Sequence, residues 1–172
     1  MTQQELARRI VECSHLTGEF VLRSGRVASE YFDKYRFESD PVLLAEIAAK
    51  LAPLVPDGIE ALAGLELGGV PIVTVLSRET GLPALFVRKR AKEYGTRRLA
   101  EGGEIEGRRL LVVEDVVTTG GQIVVSTRDL RGLGARVTDA LCVVDRESGG
   151  CETLASEGVA LQALFRTSDL GA

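Results

Sequence analysis

The feature that most constrains the fold of this sequence is the regular alternation of short apolar runs with helical patterns after residue 60. Continuous apolar runs predict strands at 61–65, 84–87, 110–113, 137–144 and 159–165. Helical periodicity predicts helices at 70–80 and 122–133, and a glycine follows each of them, as is common after helix ends. Continuous apolar strands separated by helices are typical of a parallel sheet that is covered on both faces. We therefore predict one α/β domain over residues 1–172, with 159–165 as an edge strand.

The N-terminal part adds two helices and a hairpin to this pattern. Thr2 and Glu5 have capping-box spacing, and the apolar residues behind them predict a helix that ends near His15. The alternating polar and aromatic residues of 22–35 predict a hairpin or short strands. An aspartate followed by a proline is a favourable helix start, and the apolar stripe behind it predicts a helix over 41–51.

The composition excludes several classes of protein. Hydrophobic residues make up 45% of the chain and charged residues 27%, which is enough apolar material for a packed core and excludes wholesale disorder. The net charge of −4 argues against a globally basic nucleic-acid binder. No stretch approaches the ~20 consecutive apolar residues that span a bilayer, so we expect no membrane segment. The N-terminus also lacks the basic start and apolar run of a signal peptide.

The cysteines and the histidine limit metal and nucleophile chemistry. Cys13, Cys142 and Cys151 are an odd number without metal-ligand spacing, so we expect reduced thiols and a cytoplasmic protein. The single histidine, His15, leaves little material for a zinc site or a Ser-His-Asp site.

The strongest local motif follows the predicted strand 110–113. Glu114 and Asp115 come directly after it, and a loop with two threonines and two glycines then leads into a helix. Ligands of open α/β sheets bind at the carboxyl ends of strands, where glycine amides and a helix N-terminus can hold a phosphate. Because the acids would repel a phosphate, we expect them to face sugar hydroxyls or a hydrated Mg²⁺. The alternative is an ordinary turn with two solvated acids, since the motif matches neither a P-loop nor a dinucleotide fingerprint.

A second motif is a basic segment between two predicted strands. Residues 88–98 hold six lysines and arginines against one acid, Glu93, in a chain whose net charge is −4. The glycines in and after this segment predict a long loop, and long loops in compact domains are often functional lids. A basic lid can stabilise a leaving group that becomes negative in the transition state, and can exclude water. The alternative is a solvated loop that is basic by chance.

The acidic motif resembles the signature with which type I phosphoribosyltransferases bind phosphoribosyl pyrophosphate (PRPP). The similar segment runs from Leu110 to Gln122. The resemblance implies that Glu114 and Asp115 contact the ribose hydroxyls. It also implies a loop for the 5′-phosphate, formed by Val116, Val117, Thr118, Thr119, Gly120, Gly121 and Gln122.

The basic segment resembles the catalytic loop of the orotate phosphoribosyltransferases in particular. In that family the loop of one subunit reaches the active site of its dimer partner. The resemblance implies that Arg88, Lys89 and Lys92 contact pyrophosphate, with Lys92 as the main catalytic cation. Tyr94, also implied in PRPP binding, stands where many bacterial members have a histidine. Its hydroxyl can donate a hydrogen bond but does not titrate near neutral pH.

A third segment, 64–71, resembles the pyrophosphate loop of the same family. In that loop a non-proline cis peptide turns backbone N–H groups toward the ligand. The resemblance implies a cis bond between Glu66 and Leu67 and a loop that includes Gly68. Many members have a lysine at the position of Gly68, so here the backbone is left with more of the binding. The alternative is that the glycines form an ordinary turn into a helix.

Two further segments resemble the parts that bind orotate. Residues 143–150 are similar to a strand end where an arginine, here Arg146, binds orotate, and a guanidinium can pair bidentately with a carboxylate. Residues 22–33 are similar to an N-terminal hood over the base, with Arg26 in a position usually held by lysine or arginine. Thr118 is implied as a further orotate contact. Taken singly, Arg146 could instead form a surface ion pair with its neighbour Glu147.

The resemblance covers nearly the whole chain, from about residue 19 to residue 150. It implies a type I phosphoribosyltransferase fold: an α/β domain with a central, mainly parallel sheet flanked by helices, a small N-terminal hood near 18–37 and a flexible catalytic loop near 88–103. It implies a pentosyltransferase that transfers the phosphoribosyl group of PRPP to N1 of orotate in pyrimidine synthesis. It also implies that the enzyme uses Mg²⁺, which is bound through PRPP and water and has no direct protein ligand. It implies a homodimer. The alternatives are a phosphoribosyltransferase for another base and a regulator that binds PRPP or a nucleotide without turnover.

Overall fold

The structure, a computed structural model, describes residues 1–22, 24–96 and 98–171. Arg23 of the predicted hood, Arg97 of the basic segment and the terminal Ala172 lie outside the described residues. The helices are α1 (Gln3–Ser14), α2 (Tyr35–Ser39), α3 (Pro41–Leu51), α4 (Gly69–Thr80), α5 (Gly121–Gly132) and α6 (Gly150–Ser156), with 3₁₀ turns at Ala52–Leu54 and Thr167–Leu170. The strands are β1 (His15–Val21), β2 (Val27–Phe32), β3 (Ala61–Leu65), β4 (Ala84–Val87), β5 (Ala100–Glu101), β6 (Arg109–Val117), β7 (Arg136–Asp145) and β8 (Ala160–Arg166).

Within the described residues, the strands form a six-stranded sheet and a separate hairpin of β1 and β2. The order in the sheet is β5-β4-β3-β6-β7-β8, and its pairings are parallel except for the short antiparallel pair of β4 and β5. The predictions of a mainly parallel sheet and of an edge strand at 159–165 are therefore confirmed. Parallel strands require crossover helices, and α4, α5 and α6 supply them.

The chain changes direction across the sheet between β3 and β6. From β3 it passes through α4 to β4 on one side, and from β6 it passes through α5 to β7 on the other. β3 and β6 pair with Ala61 opposite Leu110 and Gly64 opposite Val113, so their carboxyl ends lie side by side. Ligands of open α/β sheets bind at such a switch point, because the loops there diverge and leave a crevice.

Two apolar layers cover the sheet. One consists of residues from α1, α3 and α4, and the other of residues from α5 and α6. The apolar residues of β6 alternate between them, with Leu111 and Val113 in the first layer and Leu110 and Val112 in the second. Both faces of this strand are buried, which explains why its sequence is a continuous apolar run rather than an alternating one.

Most predicted elements are confirmed, and the errors concern strand ends and short elements. The predicted bounds of β3, β4 and α3 match the structure. The predicted end of the strand at 113 is wrong, because β6 continues to Val117, which pairs with Asp145 on β7. The hairpin begins earlier than predicted, at His15. Sequence analysis missed α2, β5 and α6, which have 5, 2 and 7 residues and are too short to show a clear period.

Candidate active site

Four segments that hold predicted site residues begin at the same edge of the sheet. Parallel pairing places the carboxyl ends of β3, β4, β6 and β7 along this edge. The pyrophosphate loop follows β3, the basic segment follows β4, the 5′-phosphate loop follows β6 and Arg146 follows β7. The fold therefore brings together segments that are widely separated in the sequence, with the acid pair near the centre of the row.

Glu114 and Asp115 lie in the last part of β6 and are almost inaccessible to solvent, with exposed fractions of 9% and 0%. Glu114 Oε1 accepts a hydrogen bond of 3.1 Å from the Asp115 amide, and Asp115 Oδ1 accepts one from the Val116 amide. Burial, with the neighbouring Asp115, raises the pKa of Glu114 to about 8. Burial alone would raise the pKa of Asp115 as well, but hydrogen bonds from Glu38 and Lys34 outweigh it and lower this pKa. Asp115 is therefore the ionised member of the pair at neutral pH.

Two residues that sequence analysis did not single out, Lys34 and Glu38, complete this acid cluster. Lys34 precedes α2, and its Nζ lies 2.7 Å from Asp115 Oδ2. Glu38, one helical turn after Lys34, is 5% exposed, and neither of its carboxylate oxygens accepts a hydrogen bond from the described residues. Burial, together with the nearby Asp115, raises the pKa of Glu38 to about 9. The spacing of four between a lysine and a glutamate was visible in the sequence, but it is common on exposed helix faces.

The pyrophosphate loop turns sharply between β3 and α4. The Glu66–Leu67 peptide is cis, as the resemblance implied. Glu66 Oε1 accepts a hydrogen bond from the backbone N–H of Lys89, which links this loop to the start of the basic segment. A Cβ atom at Gly68 would lie 1.5 Å from Asp115 Oδ2, so glycine is required for the loop to approach the acid pair this closely.

The 5′-phosphate loop leads from β6 into α5. Thr118 and Thr119 are exposed, and Gly120 has a left-handed φ of 79° immediately before the helix. The first backbone N–H groups of α5, including those of Gly121 and Gln122, have no hydrogen-bond acceptor within the helix. They can therefore donate to an anion. The side-chain amide of Gln122 donates instead to Ser126 Oγ at 3.2 Å. Val116 and Val117, also predicted in this loop, belong to β6 and can contribute only backbone groups.

The basic segment folds back on an acid that follows it. Lys92 Nζ lies 2.5 Å from Glu101 Oε1, and Arg88 Nε lies 3.6 Å from the same oxygen. The hydrogen bond from Lys92 lowers the pKa of Glu101. Glu101 belongs to β5, which lies inside the predicted loop 88–103 but after the basic residues 88–98. The positive charge of the basic segment is therefore balanced by one more acid than Glu93. Tyr94 is 75% exposed, and its ring centroid lies 5.9 Å from Lys92 Nζ.

Arg146 follows β7 and faces the hairpin of β1 and β2. Its guanidinium carbon lies 5.6 Å from the centroid of the Phe32 ring, and both residues line a cavity of about 560 Å³. A cavity of this size suits a small organic molecule. Arg146 and Glu147, both among the described residues, do not form an ion pair with each other. The Glu147 carboxylate accepts a hydrogen bond of 2.8 Å from the Ser168 amide.

Arg26 and Thr118, implied as further orotate contacts, are not among the residues that line this cavity. Arg26 is exposed in the turn between β1 and β2, where its carbonyl accepts a hydrogen bond of 2.8 Å from the Leu22 amide. Thr118 is exposed at the carboxyl end of β6, beside the acid pair. The structure therefore places Thr118 in the same row of loops as the segments predicted to bind PRPP, whereas Arg26 lies at the far end of the hairpin.

Comparison with known proteins assigns the family. A model of the phosphoribosyl transferase domain matches residues 25–159. An orotate phosphoribosyltransferase from Nocardioides sp. is 51% identical over 167 residues, which cover 97% of this chain and 93% of that protein. The chain belongs to the orotate phosphoribosyltransferase family. Another member, from Methanocella arvoryzae, is 45% identical over 153 residues, which cover 89% of this chain and 87% of that protein.

Solved structures of the family have the same architecture. The orotate phosphoribosyltransferase of Mycobacterium tuberculosis, in complex with Fe(III) dicitrate, superposes with a TM-score of 0.89 at 34% identity over 99% of both chains. The same enzyme in complex with PRPP superposes with a TM-score of 0.84 at 31% identity, again over 99% of both chains. The predicted type I phosphoribosyltransferase fold is thereby confirmed.

Within the described part of the chain, no helix combines the length and the apolarity needed to cross a membrane.

Proposed function

We propose that this protein transfers the 5-phosphoribosyl group of PRPP to N1 of orotate, giving orotidine 5′-monophosphate and pyrophosphate in de novo pyrimidine synthesis. The proposal is supported most directly by the adjacent carboxyl ends of β3 and β6, which place the cis-peptide loop beside the acid pair. PRPP has a phosphate at one end, a pyrophosphate at the other and hydroxyls between them. The segments at this edge offer partners for all three. The relatives that are 51% and 45% identical are orotate phosphoribosyltransferases.

The acid pair and the 5′-phosphate loop are proposed to hold the sugar. The ionised Asp115 can accept a hydrogen bond from a ribose hydroxyl, and Glu114 lies beside it for the neighbouring hydroxyl. The amides at the start of α5 and the exposed hydroxyls of Thr118 and Thr119 can donate to the 5′-phosphate. With both ends of the ribose phosphate held, C1 is kept in one orientation for the incoming base.

The basic segment is proposed to stabilise the leaving group. As N1 of orotate bonds to C1, the bond from C1 to the pyrophosphate oxygen breaks, and negative charge accumulates on pyrophosphate. Cations placed on pyrophosphate therefore act more strongly in the transition state than in the ground state. Lys92 is the main such cation, with Arg88 and Lys89 beside it and the Tyr94 hydroxyl as a further donor. Lys92 has to leave Glu101 to reach the ligand.

Orotate is proposed to bind between the hood and the carboxyl end of β7. Arg146 can pair with the orotate carboxylate or a carbonyl edge, and the Phe32 ring beside it offers an apolar surface for the flat base. Thr118 is proposed to contact orotate where the base meets the ribose, and Arg26 to contact it from the hairpin.

Mg²⁺ is proposed to enter this site bound to PRPP. No group of three potential ligands occurs among residues 1–22, 24–96 and 98–171, and Asp115 is already paired with Lys34. We propose that PRPP oxygens and water hold the ion, with Glu114 and Asp115 accepting hydrogen bonds around it. Bound Mg²⁺ would offset part of the charge on pyrophosphate. The three free cysteine thiols support a cytoplasmic location.

The active unit is proposed to be a homodimer in which the basic segment of each subunit serves the partner's site. Subunit complementation tests this arrangement. Lys92→Ala and Asp115→Asn are each expected to be inactive. A dimer formed from one subunit of each kind has one site with both native residues, so mixing is expected to restore about a quarter of the wild-type rate. No recovery after verified subunit exchange would show that the segment acts within its own subunit.

The deciding experiment combines the purified protein with PRPP, Mg²⁺ and one base at a time: orotate, uracil, hypoxanthine or adenine. Orotidine 5′-monophosphate is the expected product, formed only with orotate. A product from another base in place of orotate would reassign the substrate. Tight binding of PRPP with no product from any base would support the alternative of a regulator.

A further inference from the structure

Asp115 is held from two sides by the segment that leads into and forms α2. Lys34 Nζ lies 2.7 Å from Asp115 Oδ2, and the buried Glu38 carboxyl group lies against Asp115. Glu38 is 5% exposed, which is unusual for a glutamate. No N–H or hydroxyl group of the described residues donates to either of its oxygens. A protonated Glu38 can instead act as a donor, and Asp115 is the acceptor that it lies against.

The charges around Glu38 are unfavourable for a second carboxylate. Asp115 lies against it from β6, Glu114 is the neighbour of Asp115 on that strand and acts on it through its charge, and Lys34 acts on it from the turn before α2. Two other helices, α1 and α3, pack against α2. Both contribute apolar residues to the surrounding core. If all three acids were ionised, one ammonium would have to balance three buried negative charges, and the desolvation cost would be large.

The surrounding contacts identify which acid is neutral. Two carboxyl groups buried against each other can form a hydrogen bond only when one of them holds a proton. Asp115 already accepts a hydrogen bond from the Val116 amide and pairs with Lys34, and both contacts favour its ionised form. Glu38 has no such partner. The proton therefore belongs to Glu38, in agreement with its raised pKa and the lowered pKa of Asp115.

We propose that Glu38 is a positioning residue for Asp115: a neutral acid that donates a hydrogen bond to the ribose-binding carboxylate while Lys34 balances the charge. This inference rests on the proposed role of Asp115 in PRPP binding. The donated hydrogen bond and the ammonium hold Asp115 in one orientation. Because Asp115 is 0% exposed and Gly68 packs on it, the ribose reaches this carboxylate when the loop that carries Gly68 moves aside. Ionisation of Glu38 places a second negative charge against Asp115 and weakens PRPP binding.

The protonation state is tested directly by NMR of protein with ¹³C-labelled glutamate carboxyl groups. In the wild type, one buried glutamate signal is expected to titrate well above the ordinary glutamate range, and Glu38→Gln removes that signal. Glu114 gives a second displaced signal, which remains in the variant. If the signal lost in Glu38→Gln titrates in the ordinary range, the proposal is overturned. This measurement needs no turnover, so it remains informative even if no orotidine 5′-monophosphate is formed.

The effect on the ligand is tested by calorimetry with PRPP and Mg²⁺, without orotate. Glu38→Leu, which cannot donate, is expected to bind PRPP about tenfold more weakly than the wild type at neutral pH. Glu38→Gln, which can donate through its amide, is expected to recover most of that loss. Raising the pH through the titration of Glu38 is expected to weaken binding to the wild type more than to Glu38→Gln. Glu79→Gln, an exposed change on α4, is the matched control and should keep the wild-type pH profile.

Two results would overturn the role in positioning. One is equal PRPP affinity of Glu38→Leu and the wild type. The other is the same alkaline loss of affinity in Glu38→Gln and the wild type. If Glu38→Leu does not fold, the pH comparison with Glu38→Gln decides the question alone. A protein that makes no orotidine 5′-monophosphate but shows the expected PRPP binding would refute the proposed function and leave this inference intact.

Discussion

Lys92 Nζ lies 2.5 Å from Glu101 Oε1, so the cation proposed to stabilise the leaving pyrophosphate is held by an acid near the end of the same loop. Glu101 is itself fixed, because β5 pairs with the end of β4 through Phe86–Glu101 and Val87–Ala100. The basic segment therefore has a docked position at the edge of the sheet. If Lys92 has its proposed role, pyrophosphate has to compete with Glu101 for this ammonium, which would couple the position of the segment to the presence of PRPP.

Replacing Lys92 tests the stabilisation of the leaving group. Lys92→Ala is expected to lower kcat by roughly 100- to 1,000-fold, because a charge aimed at the departing pyrophosphate is lost. Steady-state kinetics with orotate and PRPP measure the effect, and circular dichroism checks the fold. Arg90→Ala removes an exposed cation of the same segment that has no assigned role, and should keep most of the activity. A near-normal rate in Lys92→Ala would remove this residue from the mechanism.

Replacing Glu101 tests the competition for Lys92. Glu101→Gln frees the ammonium, so the KM for PRPP is expected to fall by roughly 2- to 5-fold, a modest change because partly exposed ion pairs are weak. Glu104→Gln is the control, since Glu104 pairs with Arg98 and not with Lys92. A KM that rises in Glu101→Gln would show that this acid supports the active position of the segment rather than the docked one.

Gly68 tests the close approach between the pyrophosphate loop and the acid pair. A Cβ at this position would lie 1.5 Å from Asp115 Oδ2, so Gly68→Ala is expected to displace the carboxylate and raise the KM for PRPP by at least ~10-fold. Gly132→Ala is the matched control, because a Cβ there meets nothing within 4 Å. Calorimetric titration with PRPP gives the affinity of each variant. Equal affinities would mean that the loop can yield without cost.

Arg146 tests the assignment of the base pocket. Arg146→Ala is expected to raise the KM for orotate by roughly 10- to 100-fold, because a charge-assisted pair with the base is lost, while PRPP affinity is largely kept. Arg128→Ala removes an arginine that pairs with Glu157 on the outer face of α5, and should leave both values near wild type. A loss confined to PRPP affinity in Arg146→Ala would move this residue to the phosphate side of the site.

The acid cluster also predicts how folding stability depends on pH. Burial is the largest cause that raises the pKa of Glu38 to about 9 and that of Glu114 to about 8, from an ordinary value of 4.5. Above pH 4.5 the unfolded chain has released protons that the folded protein still holds, so the free energy of unfolding falls as pH rises toward these values. Each such proton contributes a slope of up to about 1.4 kcal/mol per pH unit.

Urea unfolding at about pH 6, 7 and 8 measures this slope. Glu38→Gln holds no titrating proton at this position, so its free energy of unfolding is expected to depend less steeply on pH. Identical slopes in the wild type and Glu38→Gln would show that Glu38 is ionised, or fully solvated, in the folded protein.

Much of the fold was predictable because its strands and longer helices have periodic patterns of their own. β3, β4 and α3 have the predicted bounds, and Gly81 ends α4 with a left-handed φ of 73°. The end of β6 was not predictable, because its last residues form a strand through pairing with the equally long β7. α2 and β5 have only 5 and 2 residues, and packing or pairing with distant elements decides whether such short segments are ordered.

The sequence by itself determined the family motifs, since each is a short local segment that can be recognised without the fold. Only the tertiary structure placed Lys34 and Glu38 against Asp115 and showed that Gly68 leaves room for that carboxylate. It also showed Lys92 bound by Glu101. The physical reason is the range of the interactions. Periodicity and turn chemistry act between near neighbours in the chain, whereas protonation and ion pairing depend on groups that come together only when distant segments pack.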